Sequence, residues 1–301
     1  MRVIVTGAGG FVGRAVVTAL HAAGHETLAA DQALPEGAPG LTGDLTTPEM
    51  IRSLFAEPCD AVVHLAAIPG GAAEADPDLG WQINVELPRR LAQAAAAHGP
   101  IRFVNASSIA VFGVPSVEPI DDDTPLAPTM LYGAHKAMAE SWLATQSRRD
   151  TLSALSLRLS GVVARPGDGA GFKSSFASTM FHAIRAGQRF TLPVAPNATM
   201  WLVSQKCVAA NLVHALTLAH DSLPANYALT LPALLVRVED LVTAIASQVR
   251  RPAQVDYAPD PAVEAAFGSQ PALLTPAADT LGFRHDGDLT SLVANAVEQS
   301  P

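Results

Sequence analysis

Apolar residues in the first half of the chain follow two alternating rhythms. Short apolar runs, RVIVT (2–6), ETLAAD (26–31), DAVVHLAA (60–67), IRFVNASS (101–108) and LSALSLRL (152–159), read as strands, and RVIVT, ended by glycine, as a buried one. Stretches with helical spacing lie between them. Residues 10–23 place Phe11, Ala15, Val16, Ala19 and Leu20 at that spacing and stop at Gly24. Pro48, after Thr46 and Thr47, starts a second helix, and 81–97 and 131–147 are further helices. Such alternation predicts an α/β fold, a Rossmann-like, doubly wound parallel sheet covered on both faces. Beyond residue 160 the rhythm loosens, and Pro and Gly cluster in ARPGDGAG (164–171). The expected division is a Rossmann domain over 1–160, to which 207–231 (a helix, then NYALTL) returns, and a smaller substrate-binding lobe over 161–206 and 232–301.

A chain of 301 residues, 49% hydrophobic, can bury a large core, and 16% charged residues is too few for a disordered tail. The net charge of −9 argues against nucleic acid or an anionic membrane as partner. Cys59 and Cys207 stand far apart with no CxxC, so neither a disulfide scaffold nor a metal site is expected. There is no basic segment followed by an apolar leader and no apolar run of roughly 20 residues. A cytoplasmic enzyme without membrane attachment is the expectation. The run Asp121-Asp122-Asp123 reads as a solvated turn.

The turn after the first strand, TGAGGFVG (6–13), departs from the dinucleotide spacing G-x-G-x-x-G because Val12 stands where the third glycine belongs. Gly7, Gly10 and Gly13 repeat at intervals of three instead. The three tasks remain: a tight turn, close approach of backbone to pyrophosphate, and close packing of helix on strand. The helix N-terminus that follows, with Phe11 and Val12, offers N–H groups and a positive dipole end to phosphate. A glycine-rich turn without a ligand would look the same, but Asp31 ends the second strand where a carboxylate accepts from ribose hydroxyls. It would repel a 2′-phosphate, and Gln32 and Ala33 follow rather than arginine, so NAD is expected over NADP.

Downstream, YGAHK places Tyr132 and Lys136 on one face of a helix. A phenol titrates near pH 10, so a base working at neutral pH needs a shift of roughly 3 units. A nearby ammonium favours the phenolate. A serine of NASSIAVFG (105–113) would sit at the carboxyl edge of the sheet, where ligands bind in such folds.

In combination, Gly7-x-x-Gly10-x-x-Gly13, Asp31, Gly43-Asp44-Leu45, His64-Leu65-Ala66-Ala67, Asn84, Ser107-Ser108 before Val111-Phe112-Gly113, and Tyr132-x-x-x-Lys136 resemble the extended short-chain dehydrogenases of the epimerase/dehydratase group. The resemblance implies that Ser108, Tyr132 and Lys136 form a catalytic trio, with Ser108 and Tyr132 also touching substrate. It implies that Asp44 and Leu45 lie on the adenine side, that Leu65, Ala66 and Ala67 line the cofactor, and that Lys136 and Tyr132 reach the nicotinamide ribose. Leu159 and Val162 would contact the carboxamide through backbone, and Asn84 would relay protons or brace a helix. His135 is expected to be solvated, and Phe112 replaces a usual Tyr.

The family's nucleotide-sugar epimerases carry Arg-Asp where this chain has Met200-Trp201, and its dehydratases place acids where Ile109 and Ala110 stand. Both absences imply a plain dehydrogenase. Residues 164–167, 172–178, 193–196 and 200–204 are similar to a branch that oxidises the C2 hydroxyl of a four-carbon sugar acid, D-erythronate, with NAD. A small-molecule carboxylate needs a cationic or N–H-rich cradle. Arg165, Lys173, Ser174 and Ser175 are candidates, and Gly71 with its neighbours leaves room for substrate. Nucleotide-sugar 4-epimerase, uronate dehydrogenase and a non-catalytic dinucleotide sensor stay open as alternatives. The apolar faces of helices 81–97 and 131–147, paired as in the family, imply a homodimer.

Overall fold

The computed structural model describes residues 1–114, 118–166 and 175–298, and it divides into two compact units. The first comprises residues 1–111, 128–159 and 209–230. Its sheet contains β1 (Arg2–Thr6), β2 (Glu26–Asp31), β3 (Leu41–Thr42), β4 (Ala61–His64), β5 (Arg102–Ser108), β6 (Ser153–Leu159) and, labelled in chain order below, β10 (Ala228–Thr230). Their order is β10-β6-β5-β4-β1-β2-β3, and every pairing is parallel. The chain runs outward from β1 in one direction through β2 and β3. It then crosses back to β4 on the other side of β1, so the order reverses between β1 and β4, where ligands bind in open α/β sheets. Every residue of β4 is buried, as are nearly all of β5 and β6, which explains their apolar runs.

Helices α1 (Phe11–Ala22), α2 (Pro48–Leu54), α3 (Gly70–Ala75), α4 (Pro77–Trp81), α5 (Leu87–Ala96) and α6 (Leu131–Arg148) accompany this sheet. One core beneath them joins Ile4, Leu54, Val62, Leu91, Phe103 and Leu143. DAVVHLAA forms a strand only over Ala61–His64; residues 65–67 leave the sheet as a loop. The helix expected over 81–97 begins earlier, at Pro77, where the Asp76 carboxylate accepts from Leu79 N at 3.0 Å. It widens into a π-helical turn over Gln82–Glu86 before α5.

The second unit comprises residues 112–127, 160–208 and 231–301. It holds a three-stranded sheet of β7 (Gly161–Val162), β9 (Thr199–Val203) and β11 (Leu234–Arg237), and a pair of β8 (Phe190–Leu192) with β12 (Val255–Tyr257). Helices α7 (Phe176–Ala186) and α9 (Val238–Val249) share its core with Met180, Ile184, Leu202, Leu241 and Leu292. Between the units in sequence lies α8 (Gln205–His214), followed at a distance by β10. No helix among the described residues is long and apolar enough to cross a membrane.

Candidate active site

Four strand ends of the first unit, those of β1, β4, β5 and β6, bring most of the candidate residues to the carboxyl edge of the sheet. After β1, Gly7 adopts φ 76°, and a Cβ there would lie 2.6 Å from Ala66 N. The turn therefore closes directly on the Leu65–Ala66 backbone beyond β4. A Cβ on Gly13 would lie 2.0 Å from Gly7 O, and one on Gly9 would lie 1.9 Å from Ala33 O. Gly9 fits the second glycine of the dinucleotide spacing, and its need arises from the loop after β2.

Gly10 differs from these. Its φ of −70° and ψ of 172° suit any residue, and a Cβ would come no closer than 3.2 Å to Gly7 O. That contact is tight, so Gly7 O must give by a few tenths of an ångström to admit a side chain, far less than the neighbours of Gly9 or Gly13 would. Gly10 caps α1 without any side-chain bond, and Phe11 and Val12 form the first turn, both partly exposed. A bare helix start with room in front of it fits a pyrophosphate. Asp31 accepts from Gly9 N at 2.9 Å and Ala33 N at 3.2 Å, so its carboxylate is fixed at the end of β2. Gly43 N donates to Asp31 O at 2.9 Å, which brings Asp44 to the same end. Asp44 binds its own loop through Thr46 N (2.9 Å) and Thr46 Oγ1 (2.8 Å), and Leu45 is buried in the core. These residues fit NAD: a phosphate cradle at Gly10–Gly13, with a carboxylate placed for ribose hydroxyls.

Asn84, in the π-helical turn, is 1% exposed. Its amide accepts from Ile68 N at 3.0 Å and donates to Ile68 O at 3.1 Å. Both halves of the amide thus tie the helix to the segment after β4. Ala67 in that segment is exposed.

Ser108 ends β5 opposite Leu159 of β6, and its Oγ accepts from Ala110 N at 3.1 Å. Tyr132 and Lys136 occupy the first turns of α6. Leu131 N at the start of α6 donates to the Glu74 carboxylate at 2.6 Å, which tethers the helix to α3. Gly133 was missed in the sequence, yet a Cβ there would lie 2.3 Å from Ala110 O. Only glycine lets the Tyr132 turn lie against the loop that follows Ser108. A glycine within a helical turn costs about 1 kcal/mol relative to alanine, and that cost was the available signal of close approach.

Lys136 is 3% exposed; its Nζ donates to Ala106 O at 2.7 Å and lies 5.6 Å from the centroid of the Tyr132 ring. Burial pulls its ammonium down to about 8, and the Glu140 carboxylate acts in the opposite direction. His64, at the end of β4, shares a 2.7 Å hydrogen bond with Thr6 Oγ1. Burial, with Lys136 adding to it, holds its imidazole at about 3, so it is neutral at the edge of the site. His135 is not solvated as expected. It is 4% exposed and meets Trp81 edge-on at 6.1 Å, because α3 and α4 pack over that side of α6.

Gly71 lies in the first turn of α3, next to Gly70, whose Cβ position is 3.7 Å from Tyr132 Cβ. The other substrate candidates belong to the second unit. Val162 ends β7, and Ala164 follows with φ 60°, a left-handed conformation rare outside glycine. Next, Arg165 N donates to Ser178 Oγ at 3.2 Å, and Arg165 O accepts from His182 Nε2 at 2.8 Å, docking this backbone on α7. Ser175 immediately precedes α7. Ser174 and Lys173 lie outside the described residues. Met200 and Trp201 are buried in β9, with the indole Nε1 donating to Pro271 O at 2.7 Å. Asp121 folds a turn through Thr124 Oγ1 (2.8 Å), and Asp122 accepts from Ala277 N at 3.0 Å. Among the described residues, no group of His, Cys, Asp and Glu is arranged to hold a metal.

A family model described as the NAD dependent epimerase/dehydratase family matches residues 3–222. D-erythronate dehydrogenase of Cupriavidus necator is 32% identical, over 100% of this chain and 99% of its own. D-erythronate dehydrogenase of Haemophilus influenzae is 29% identical, over 99% of both chains. Among solved structures, the nucleoside-diphosphate-sugar epimerase of Agrobacterium tumefaciens superposes with a TM-score of 0.89 at 27% identity, covering 99% of this chain and 94% of that one.

Proposed function

The chain belongs to the NAD-dependent epimerase/dehydratase family, and from that premise we propose that it oxidises the C2 hydroxyl of a small sugar acid, D-erythronate, to the 2-keto acid. Its cofactor is NAD. The observation that carries the substrate reading is the end-to-end similarity to the two D-erythronate dehydrogenases. When bound, NAD supplies the hydride acceptor for carbon C2.

The chain's own residues supply the proton chemistry. Tyr132, as phenolate, takes the C2 hydroxyl proton, and Ser108 orients that oxygen. The Lys136 ammonium, held on Ala106 O below the Tyr132 ring, favours the phenolate and is placed for the nicotinamide ribose. Gly7, Gly10 and Gly13 cradle the pyrophosphate, and Asp31 takes the adenosine ribose. Arg165 and Ser175 are the proposed partners of the substrate carboxylate, and Gly71 gives it space beside Tyr132. Asn84 acts as a brace through Ile68.

The likeness to a nucleoside-diphosphate-sugar epimerase favours epimerisation as the second reading. Against it, residues 200 and 201 are apolar and packed into β9, so they offer a nucleotide no cation. The proposal includes a homodimer. Trp81 (49% exposed), Met138 (39%) and Trp142 (37%) leave an apolar strip along α4 and α6 that a second copy would cover. Replacing Tyr132 by Phe tests the chemistry. NAD affinity should persist while turnover on D-erythronate falls about 1000-fold, and undiminished turnover would refute the proposed role of Tyr132.

A further inference from the structure

Glu140 and Arg158 form an ion pair enclosed by the first unit, with side chains 4% and 6% exposed. Arg158 Nη2 donates to Glu140 Oε2 at 2.8 Å, and Nε reaches Oε1 and Oε2 at 3.1 and 3.2 Å. The Ser107 hydroxyl donates to the same carboxylate. Ser107 faces Arg158 across the β5–β6 pairing. It also stands between Ala106, whose carbonyl anchors Lys136, and Ser108. On α6, Glu140 is one turn beyond Lys136 and two beyond Tyr132. One carboxylate therefore grips the strand that carries the lysine anchor and the serine, from the helix that carries the lysine and the tyrosine.

An enclosed ion pair is a poor source of net stability, because desolvation of both charges consumes most of their attraction. We propose that Glu140, held by Arg158, is a positioning residue for the reaction: it fixes β5, with the Ala106 carbonyl and Ser108, against the helix that carries Lys136 and Tyr132. This rests on the catalytic reading of Lys136. The other charged or titratable groups on the elements packed against α6 are Arg102 on β5, Arg158 on β6, Glu74 on α3 and Asp76 at the start of α4; Tyr132 and His135 share α6 with Lys136, and His64 on β4 feels the lysine's charge. The Glu86–Arg89 pair spans the π turn and α5. Glu140 is the carboxylate that opposes the loss of the lysine proton.

The test is the pH profile of kcat/KM for Glu140→Gln, Glu140→Asp and the double variant Glu140→Gln/Arg158→Met. Glutamine keeps the acceptor for Ser107 and removes the charge. The alkaline limb should move about one pH unit toward acid in Glu140→Gln, which leaves the arginine cation unopposed; in the double variant, which removes both charges, the limb should move less while kcat falls about tenfold, because β5 is no longer held against α6. KM for NAD should stay within about twofold, and Glu140→Asp should restore the limb. If Glu140→Gln does not fold, the double variant decides. A folded double variant whose kcat and limb both coincide with those of the unmodified protein overturns the proposal, whatever its melting temperature. Lys136→Met, measured alongside, separates the two readings: full activity there refutes the role of the lysine itself.

Discussion

One methyl group distinguishes two kinds of glycine in the turn after β1. At position 13 the added carbon would sit 2.0 Å from a carbonyl oxygen, whereas at position 10 it would sit 3.2 Å away in a conformation open to any residue. Gly13→Ala should therefore destabilise the fold by about 2 kcal/mol or more, as overpacking does. Gly10→Ala should cost much less stability than Gly13→Ala, since Gly7 O need give only a few tenths of an ångström, and should weaken NAD binding about tenfold or more, because the methyl stands where phosphate would approach. Thermal unfolding and NAD titration of the two variants separate these effects. Equal loss of stability in both would remove the reason for placing the pyrophosphate at Gly10. The glycines and Asp31 of the proposed cradle were visible in the sequence, because a tight turn and a strand-end acid depend on local backbone geometry. The sequence did not reveal the packing need for Gly9, which depends on Ala33 in the loop after β2. Nor did it reveal the partner of Arg158, although a charge inside an otherwise apolar strand demands one.

Helix α6 carries two of the residues proposed for the chemistry, Tyr132 and Lys136. Its start is tethered to Glu74 of α3, its first turn lies against Ala110, and its second turn reaches the end of β5 through Lys136. Gly133→Ala should push this turn away from the Ser108 loop. Turnover should fall at least about tenfold, with a loss of stability of roughly 1–3 kcal/mol. Kinetics and denaturant unfolding check both, and a fully active, fully stable variant would show that the close approach is dispensable. The helix was legible over 131–147, and the spacing of Tyr132 and Lys136 placed both side chains on one face of it. The burial of His135 was not legible, because it depends on Trp81 and on where α3 and α4 pack. The π-helical turn at Asn84 was equally hidden, since the phase shift of about 100° that one extra residue brings does not stand out in so Ala-rich a helix.

Over the whole molecule, the parallel order of the first unit followed from the alternation of apolar runs and helices. The second unit's short strands, of two to five residues, were too brief to show a period. His64 gives the fold a pH dependence. Its folded value of about 3 lies below its unfolded value near 6.5, so the unfolded chain binds a proton first as pH falls. That contribution is intact above about 6.5 and is lost between there and about 3, on the order of a few kcal/mol. Urea unfolding across this window should show the decline, and His64→Asn should flatten it; parallel curves would exclude the histidine as its source. The apolar strip on α4 and α6 makes a second expectation: Trp81→Glu/Trp142→Glu should convert a dimer to a monomer by light scattering. An unmodified protein that is already monomeric would dismiss the dimer.

Sugar-acid oxidation is tested most directly by NADH formation from NAD with D-erythronate, alongside longer aldonates, uronates and NADP. The expected result is steady net NADH from D-erythronate and NAD, little with NADP, and none from Tyr132→Phe. No net NADH from any sugar acid, with NAD retained on the protein and a nucleotide sugar epimerised, would contradict it.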